Sequence, residues 1–98
     1  DFAVIDVSFI SLEKVLLPVR EQLRSSARIL CLVKPQFEVG PERLGGSGVV
    51  RDETLRRFAV EKIERFGRAH GLTPSAPFRS PLPGRDGNRE YFLLFENA

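Results

Sequence analysis

Ile29-Leu-Cys-Leu-Val33 is an unbroken apolar run, and Lys34 and Pro35 stop it abruptly. A run of that length without alternation predicts a strand buried on both faces, as in a parallel sheet under helices. Lys34 then falls at the carboxyl end of the strand, where open α/β sheets gather their ligands. Pro35 stiffens the backbone just after it. A buried strand of this kind needs a neighbour, and Phe2-Ala-Val-Ile-Asp-Val7 reads as one, with Asp6 near its carboxyl end. Between the two, Ser11 can cap a helix in which Leu12, Val15, Leu16, Val19 and Leu23 repeat at helical spacing. Pro18 either kinks that helix or marks a short first turn followed by a second helix near Pro18. Arg24-Ser-Ser-Ala27 is the return loop, and Ala27 or Arg28 begins the second strand. Strand, helix and strand at this spacing predict a βαβ unit with parallel pairing and a right-handed crossover.

The second half reads differently. Gln36 to Arg51 holds Gly40, Pro41, Gly45, Gly46, Ser47 and Gly48 and no sustained period, so it reads as a loop overhanging the edge beyond Lys34. Its glycines lack the strand-then-helix context of a nucleotide-binding loop, which favours a lid or a linker. Asp52 is the N-cap of a helix whose apolar stripe is Leu55, Phe58, Ala59, Ile63, Phe66 and Ala69, with Gly71 as the stop. Arg56, Arg57, Lys62, Arg65 and Arg68 alternate with Glu61 and Glu64 on its other faces, which reads as a solvated surface in preference to an RNA-binding one. His70 suits the dipole at the helix end. Pro74, Pro77 and Pro81 confine any strand in Leu72–Leu82 to a short edge piece. Pro83-Gly-Arg-Asp-Gly-Asn88 is turn chemistry, and Glu90-Tyr-Phe-Leu-Leu-Phe95 is strongly strand-forming. The expected fold is α/β: parallel strands with crossover helices, ending in an antiparallel hairpin.

A chain of 98 residues with 42% hydrophobic and 29% charged composition is an ordinary single globular unit. Its net charge of +2 permits nucleic acid as a partner without demanding it. Cys31, the single cysteine, lies inside the apolar run and reads as core; the absence of a disulfide framework fits a cytoplasmic protein. No apolar stretch approaches the roughly 18 residues of a membrane span, and no signal peptide is visible. There is no methionine, and the first apolar run starts almost at the first residue. A piece cut from a larger domain is the expectation.

Three charges interrupt or border apolar strands: Asp6, Lys34 and Glu90. Asp6 and Lys34 fall at carboxyl ends of neighbouring parallel strands, and Glu90 starts an antiparallel one at the same edge. The topology is therefore expected to gather all three. Such charges are costly to bury unless they pair, so both a structural salt-bridge cluster and a catalytic site remain open. A lysine between two carboxylates is held oriented, and one relieved of its proton can serve as a base or acceptor. The set lacks His and Cys ligands and carries a cation of its own, which argues against a metal. A Ser-His-Asp hydrolase also fails, since the only histidine is remote from the three charges.

Four blocks, Asp6-Val-Ser-Phe-Ile-Ser-Leu12, Leu32-Val-Lys-Pro-Gln-Phe-Glu38, Gly48-Val-Val-Arg-Asp52 and Gly87-Asn-Arg-Glu-Tyr91, occur in that order. In them the chain resembles the TlyA, or hemolysin-A-like, branch of the FtsJ-type ribose methyltransferases, over nearly its whole length. The resemblance implies a Rossmann-like fold and transfer of a methyl group from S-adenosylmethionine to a ribose 2′-hydroxyl of ribosomal RNA. It implies a Lys-Asp-Lys-Glu tetrad in which Asp6, Lys34 and Glu90 are the aspartate, second lysine and glutamate. Asp6 is also implied at the methionine moiety of the cofactor. The Asp-Val-Ser-Phe block differs from the Asn/Asp-Pro-Pro-Tyr/Phe type of amino-methyltransferases, which points to an oxygen acceptor. The family's first lysine, its glycine-rich cofactor loop and its small S4-type RNA-binding domain are not in this sequence. Residues 1–98 are thus expected to be the carboxyl half of the catalytic domain, inactive alone, with sheet order first strand, second, last, third.

Arg43, Arg51, Arg79 and Arg85 lie in loops around the same edge and are candidate RNA-phosphate contacts. The first strand, lacking a neighbour on one side, leaves an edge through which the fragment is expected to dimerise. The competing reading is a non-catalytic RNA- or protein-binding module. Pore formation, which the hemolysin name suggests, is disfavoured, because the apolar stripe from Leu55 is what any core-facing helix shows.

Overall fold

A computed structural model describes residues 2–40, 48–84 and 87–97. Five strands form one sheet: β1 (Phe2–Ile5), β2 (Arg28–Val33), β3 (Leu72–Pro74), β4 (Phe78–Arg79) and β5 (Tyr91–Asn97). Two α-helices accompany it, α1 (Leu16–Glu21) and α2 (Glu53–Ala69), with 3₁₀ turns at Leu12–Lys14 and Pro35–Phe37. The sheet runs β1-β2-β5-β3, with β4 also on β5, as the resemblance implied. β1 and β2 are parallel, with Ile5 opposite Cys31. β5 is antiparallel to β2, with Val33 opposite Tyr91, and antiparallel to β3 and β4. Pro74 sits in β3 at the sheet edge, where its missing N–H costs no ladder bond.

The segment from Ser11 to Leu23 is not one helix. Ser11 caps the Leu12–Lys14 turn by accepting from the Glu13 amide, and α1 then starts afresh at Leu16, two residues before Pro18. Pro18 thus lies in the first turn, where no intrahelical donor is required of it. α2 is capped as its sequence predicts: Asp52 Oδ1 accepts from the Thr54 amide at 2.8 Å, and Gly71 leaves the helix with φ +83°. His70 Nδ1 lies 2.8 Å from the Phe66 carbonyl oxygen, which places it in helix-end packing rather than chemistry.

The expectation of strands buried on both faces is corrected. Ile5, Ile29, Cys31, Val33, Leu93 and Phe95 point to one side and join Leu12, Leu16, Ala59, Val60 and Ile63 in a single core. Gly67 of α2 lies directly on the Phe95 ring, a contact that leaves no room for a Cβ. The alternate residues Phe2, Val4, Leu30, Leu32, Phe92 and Leu94 belong to no such core, and Phe2 and Val4 remain 60% and 64% exposed. The cause is the pleat: successive side chains take opposite faces, and among the described residues the core packs on one face alone. Phe78 of β4, also exposed, stacks on Phe92 at 5.3 Å between centroids and extends this second apolar face.

Candidate active site

β1 and β2 end side by side, and the first residue beyond β2 meets the first beyond β1. Lys34 Nζ lies 2.5 Å from Asp6 Oδ1, with 12% of the lysine side chain exposed against 58% of the aspartate's. The lysine stem is therefore packed while its carboxylate partner faces water, which screens the pair. Lys34 Nζ also donates to Ser8 Oγ at 3.1 Å. These two contacts leave one further N–H direction on the ammonium.

Glu90 stands one register step before β5, level with Lys34 across the antiparallel ladder. It is buried, but its partner is not the lysine. Gln36, two residues past Lys34 in the Pro35–Phe37 turn, donates from Nε2 to Glu90 Oε2 at 3.1 Å. The expected lysine between two carboxylates is corrected accordingly: one turn serves both carboxylates, Lys34 engaging Asp6 and Gln36 engaging Glu90. The Gln36 Oε1 atom is buried and has no hydrogen-bond partner. Gly84 supplies the space that Glu90 occupies, since a Cβ there would overlap the carboxylate.

Sequence reasoning missed the residues that brace this edge. Glu38, 5% exposed, accepts from the Ser11 hydroxyl at 2.6 Å, the Leu12 amide at 2.9 Å and Lys62 Nζ at 3.0 Å. Lys62 also reaches the Glu38 carbonyl at 2.9 Å, and Glu13 at 3.7 Å, so it does not belong to a solvated helix face. This cluster ties the segment after β1, the turn after β2 and α2 together. Asn88, 2% exposed, accepts from the Val50 amide at 2.8 Å, donates to the Gly48 carbonyl at 3.3 Å and takes the Gly84 amide on its own carbonyl at 2.6 Å. Ser8, Gln36, Glu38 and Asn88 all sit inside the blocks that carried the resemblance, which was the available signal; Lys62 had none. Phe9 is 73% exposed, has φ +66° and lies 5.0 Å from the Phe37 ring centroid to centroid. A bulky residue in the left-handed region is a backbone outlier.

Arg51 and Arg79 are exposed. Arg79 lines a groove of about 270 Å³ with Arg56, Arg57, Glu61 and Tyr91. Arg43 and Arg85 lie outside the described residues. Burial pushes the Cys31 thiol up to about 12, which fits the core role read from the sequence. No helix among the described residues is long and apolar enough to cross a membrane.

Residues 1–97 match the family described as FtsJ-like methyltransferase. A Mycobacterium tuberculosis relative named 16S/23S rRNA (cytidine-2′-O)-methyltransferase TlyA is 45% identical over 93 residues, covering 95% of this chain and 35% of the relative. A Bacillus subtilis relative named as an rRNA methyltransferase, YqxC, is 41% identical over 95% of this chain and 33% of its own length. A solved structure from Lactococcus lactis that carries a hemolysin name superposes with a TM-score of 0.95 at 35% identity, covering 99% of this chain and 46% of that one. The chain thus spans about a third of the length of these curated relatives.

Proposed function

The chain belongs to the FtsJ-like methyltransferase family, and from that premise we propose that it is the carboxyl half of a catalytic domain that methylates ribose 2′-hydroxyls of ribosomal RNA. The observation that carries this reading is the Lys34–Asp6 pair at adjoining strand ends, with Glu90 buried one register step away. Asp6, Lys34 and Glu90 are its catalytic residues. Lys34 Nζ, held by Asp6, directs its free position at the ribose oxygen. With one proton first given up to solvent, the amine takes the proton that the hydroxyl loses and ends as an ammonium again. Glu90, held by Gln36 in the space that Gly84 leaves, adds a second carboxylate at the same edge. Positioning of this kind supplies much of the gain in group transfer.

S-adenosylmethionine, when bound, supplies a methyl group on a cationic sulfur. The described residues fit one margin of such a site: Asp6, more than half exposed while paired, keeps oxygen lone pairs for the amino group of the methionine moiety. The remaining contacts belong to an upstream cofactor-binding half, with an S4-type RNA-binding domain beyond it. Arg51 and Arg79 contact RNA phosphates, and Arg43 and Arg85 are assigned the same role from sequence alone. The enzyme acts in the cytoplasm on ribosomal RNA or a ribosomal subunit. The isolated chain is inactive and dimerises through the open edge of β1.

The test is methyl incorporation from labelled S-adenosylmethionine into ribosomal RNA by the full-length protein. Lys34→Ala should lower turnover by about 10²–10⁴-fold, the range of a lost acid–base group, with an unchanged circular dichroism spectrum. Turnover that survives the substitution would remove Lys34 from the mechanism.

A further inference from the structure

We propose that Ser8 is a positioning residue for Lys34, and that the turn carrying it is built to hold its hydroxyl against the lysine amine. This deepens the methyl-transfer reading and rests on it.

Ser8 Oγ lies 3.1 Å from Lys34 Nζ, on the side chain's exposed flank. Asp6 fixes one N–H of the ammonium and Ser8 a second, and two fixed directions on a tetrahedral nitrogen determine the third. With Asp6 alone, a single contact to a carboxylate that is 58% exposed holds the torsion about Cε–Nζ less narrowly, and the third direction spreads. Ser8 accepts in both protonation states of the amine: in the ammonium the third N–H faces the ribose oxygen, and in the neutral amine the lone pair takes that direction while the two remaining N–H bonds keep Asp6 and Ser8 as acceptors. Ser8 can therefore stay bonded to Lys34 on both sides of the proton transfer.

The backbone around Ser8 points the same way. Strand β1 ends at Ile5, and the chain must turn sharply to bring residue 8 back over Lys34. Phe9, next in line, takes φ +66°, a conformation in which a large L side chain is strained. Strain of this sort persists where the surroundings over-determine it, and it gathers at functional sites. Both surroundings are visible: the Phe9 ring packs against Phe37, and the buried Glu38 carboxylate grips Ser11 and Leu12 just beyond. Phe37 closes the turn that Lys34 opens, and Glu38 follows it. The same short segment thus carries the lysine and anchors the turn that brings Ser8 to it.

The test uses full-length Ser8→Ala and Ser8→Thr proteins with ribosomal RNA as acceptor. Ser8→Ala should lower kcat about tenfold with KM for S-adenosylmethionine and RNA within about twofold of wild type, as loss of orientation without loss of binding does. Its melting temperature should stay near wild type, because Ser8 is exposed. Ser8→Thr, which keeps the hydroxyl, should retain most of the activity. A kcat for Ser8→Ala within twofold of wild type overturns the proposal. So does a fall in kcat accompanied by a matching fall in melting temperature, or a Ser8→Thr protein as impaired as Ser8→Ala. A readout free of turnover is the rate at which Lys34 is acetylated by acetic anhydride, followed by mass spectrometry. Loss of one partner should speed it, and an unchanged rate counts against the contact. A wild-type protein that transfers no methyl group to RNA defeats the methyltransferase reading, whereas the acetylation comparison still decides whether Ser8 holds the lysine.

Discussion

Lys34 and Gln36 stand two residues apart in one turn and hold two different carboxylates. The anomaly of charges beside apolar strands was legible in the sequence, because burying a charge is costly enough to demand a reason. Their partners were not. Strand register brings Glu90 level with Lys34, but the choice between Lys34 and Gln36 as its donor is made by side-chain rotamers, which the pattern of residues does not encode. Gly84 makes the arrangement testable. In Gly84→Ala the new methyl group would displace the Glu90 carboxylate, and activity should fall at least about tenfold as catalytic geometry is lost; wild-type kcat in this variant would remove Glu90 from the site. Cys31 gives a prediction in pH. Its thiol is raised to about 12 in the fold, so its contribution is fully present below the unfolded value near 8.5. It is lost as pH rises from there through the folded value, because only the unfolded chain then gains from ionising. Denaturant midpoints should decline above about pH 9 in wild type, and less so in Cys31→Ala, whose side chain does not titrate.

Among the elements, α2 was the most legible, since cap and stop stood where its helical period put them, and of its stripe only Ala69 proved exposed, while Val60 joined the core unannounced. The break between the Leu12–Lys14 turn and α1 was half legible, with Pro18 as the warning and the restart at Leu16 set by packing. Lys62 escaped because a helix bearing mixed charges usually presents them to water, whereas here one of them crosses to a carboxylate in another element. Lys62→Met leaves Glu38 buried without its cation and should cost about 3–5 kcal/mol, seen as a lower urea midpoint. An unchanged midpoint would mean that the Ser11 hydroxyl and Leu12 amide suffice for that carboxylate. Gly67→Ala should cost about 1–3 kcal/mol by overpacking against Phe95, lowering the melting temperature by several degrees.

At the scale of the molecule, the apolar run that suggested a strand covered on both sides was right about the strand and wrong about its cover within these residues. The face with Phe2, Val4 and Phe78 exposed and Leu30, Leu32, Phe92 and Leu94 half-buried is what an upstream half of the domain would cover under the function proposed above. The isolated chain should bind a hydrophobic dye such as ANS strongly, and the full-length protein weakly; equal binding would mean that this face stays open in the full-length protein. RNA affinity should lose about one unit of salt slope for each of Arg51→Ala and Arg79→Ala if each neutralises a phosphate.

The placement of β5 carries a consequence for synthesis. The strand nearest the middle of the sheet is translated after every strand it joins, and among the described residues β3 and β4 have no other sheet partner. β1 and β2 can zip together as they leave the ribosome, but the sheet stays split until residues 91–97 emerge. Order of synthesis and order of assembly are therefore out of step. A nascent chain paused short of Tyr91 presents two unpaired β segments and the open flank of β2 at once, a species that chaperones should capture and that a faster translation of the final strand should make scarce.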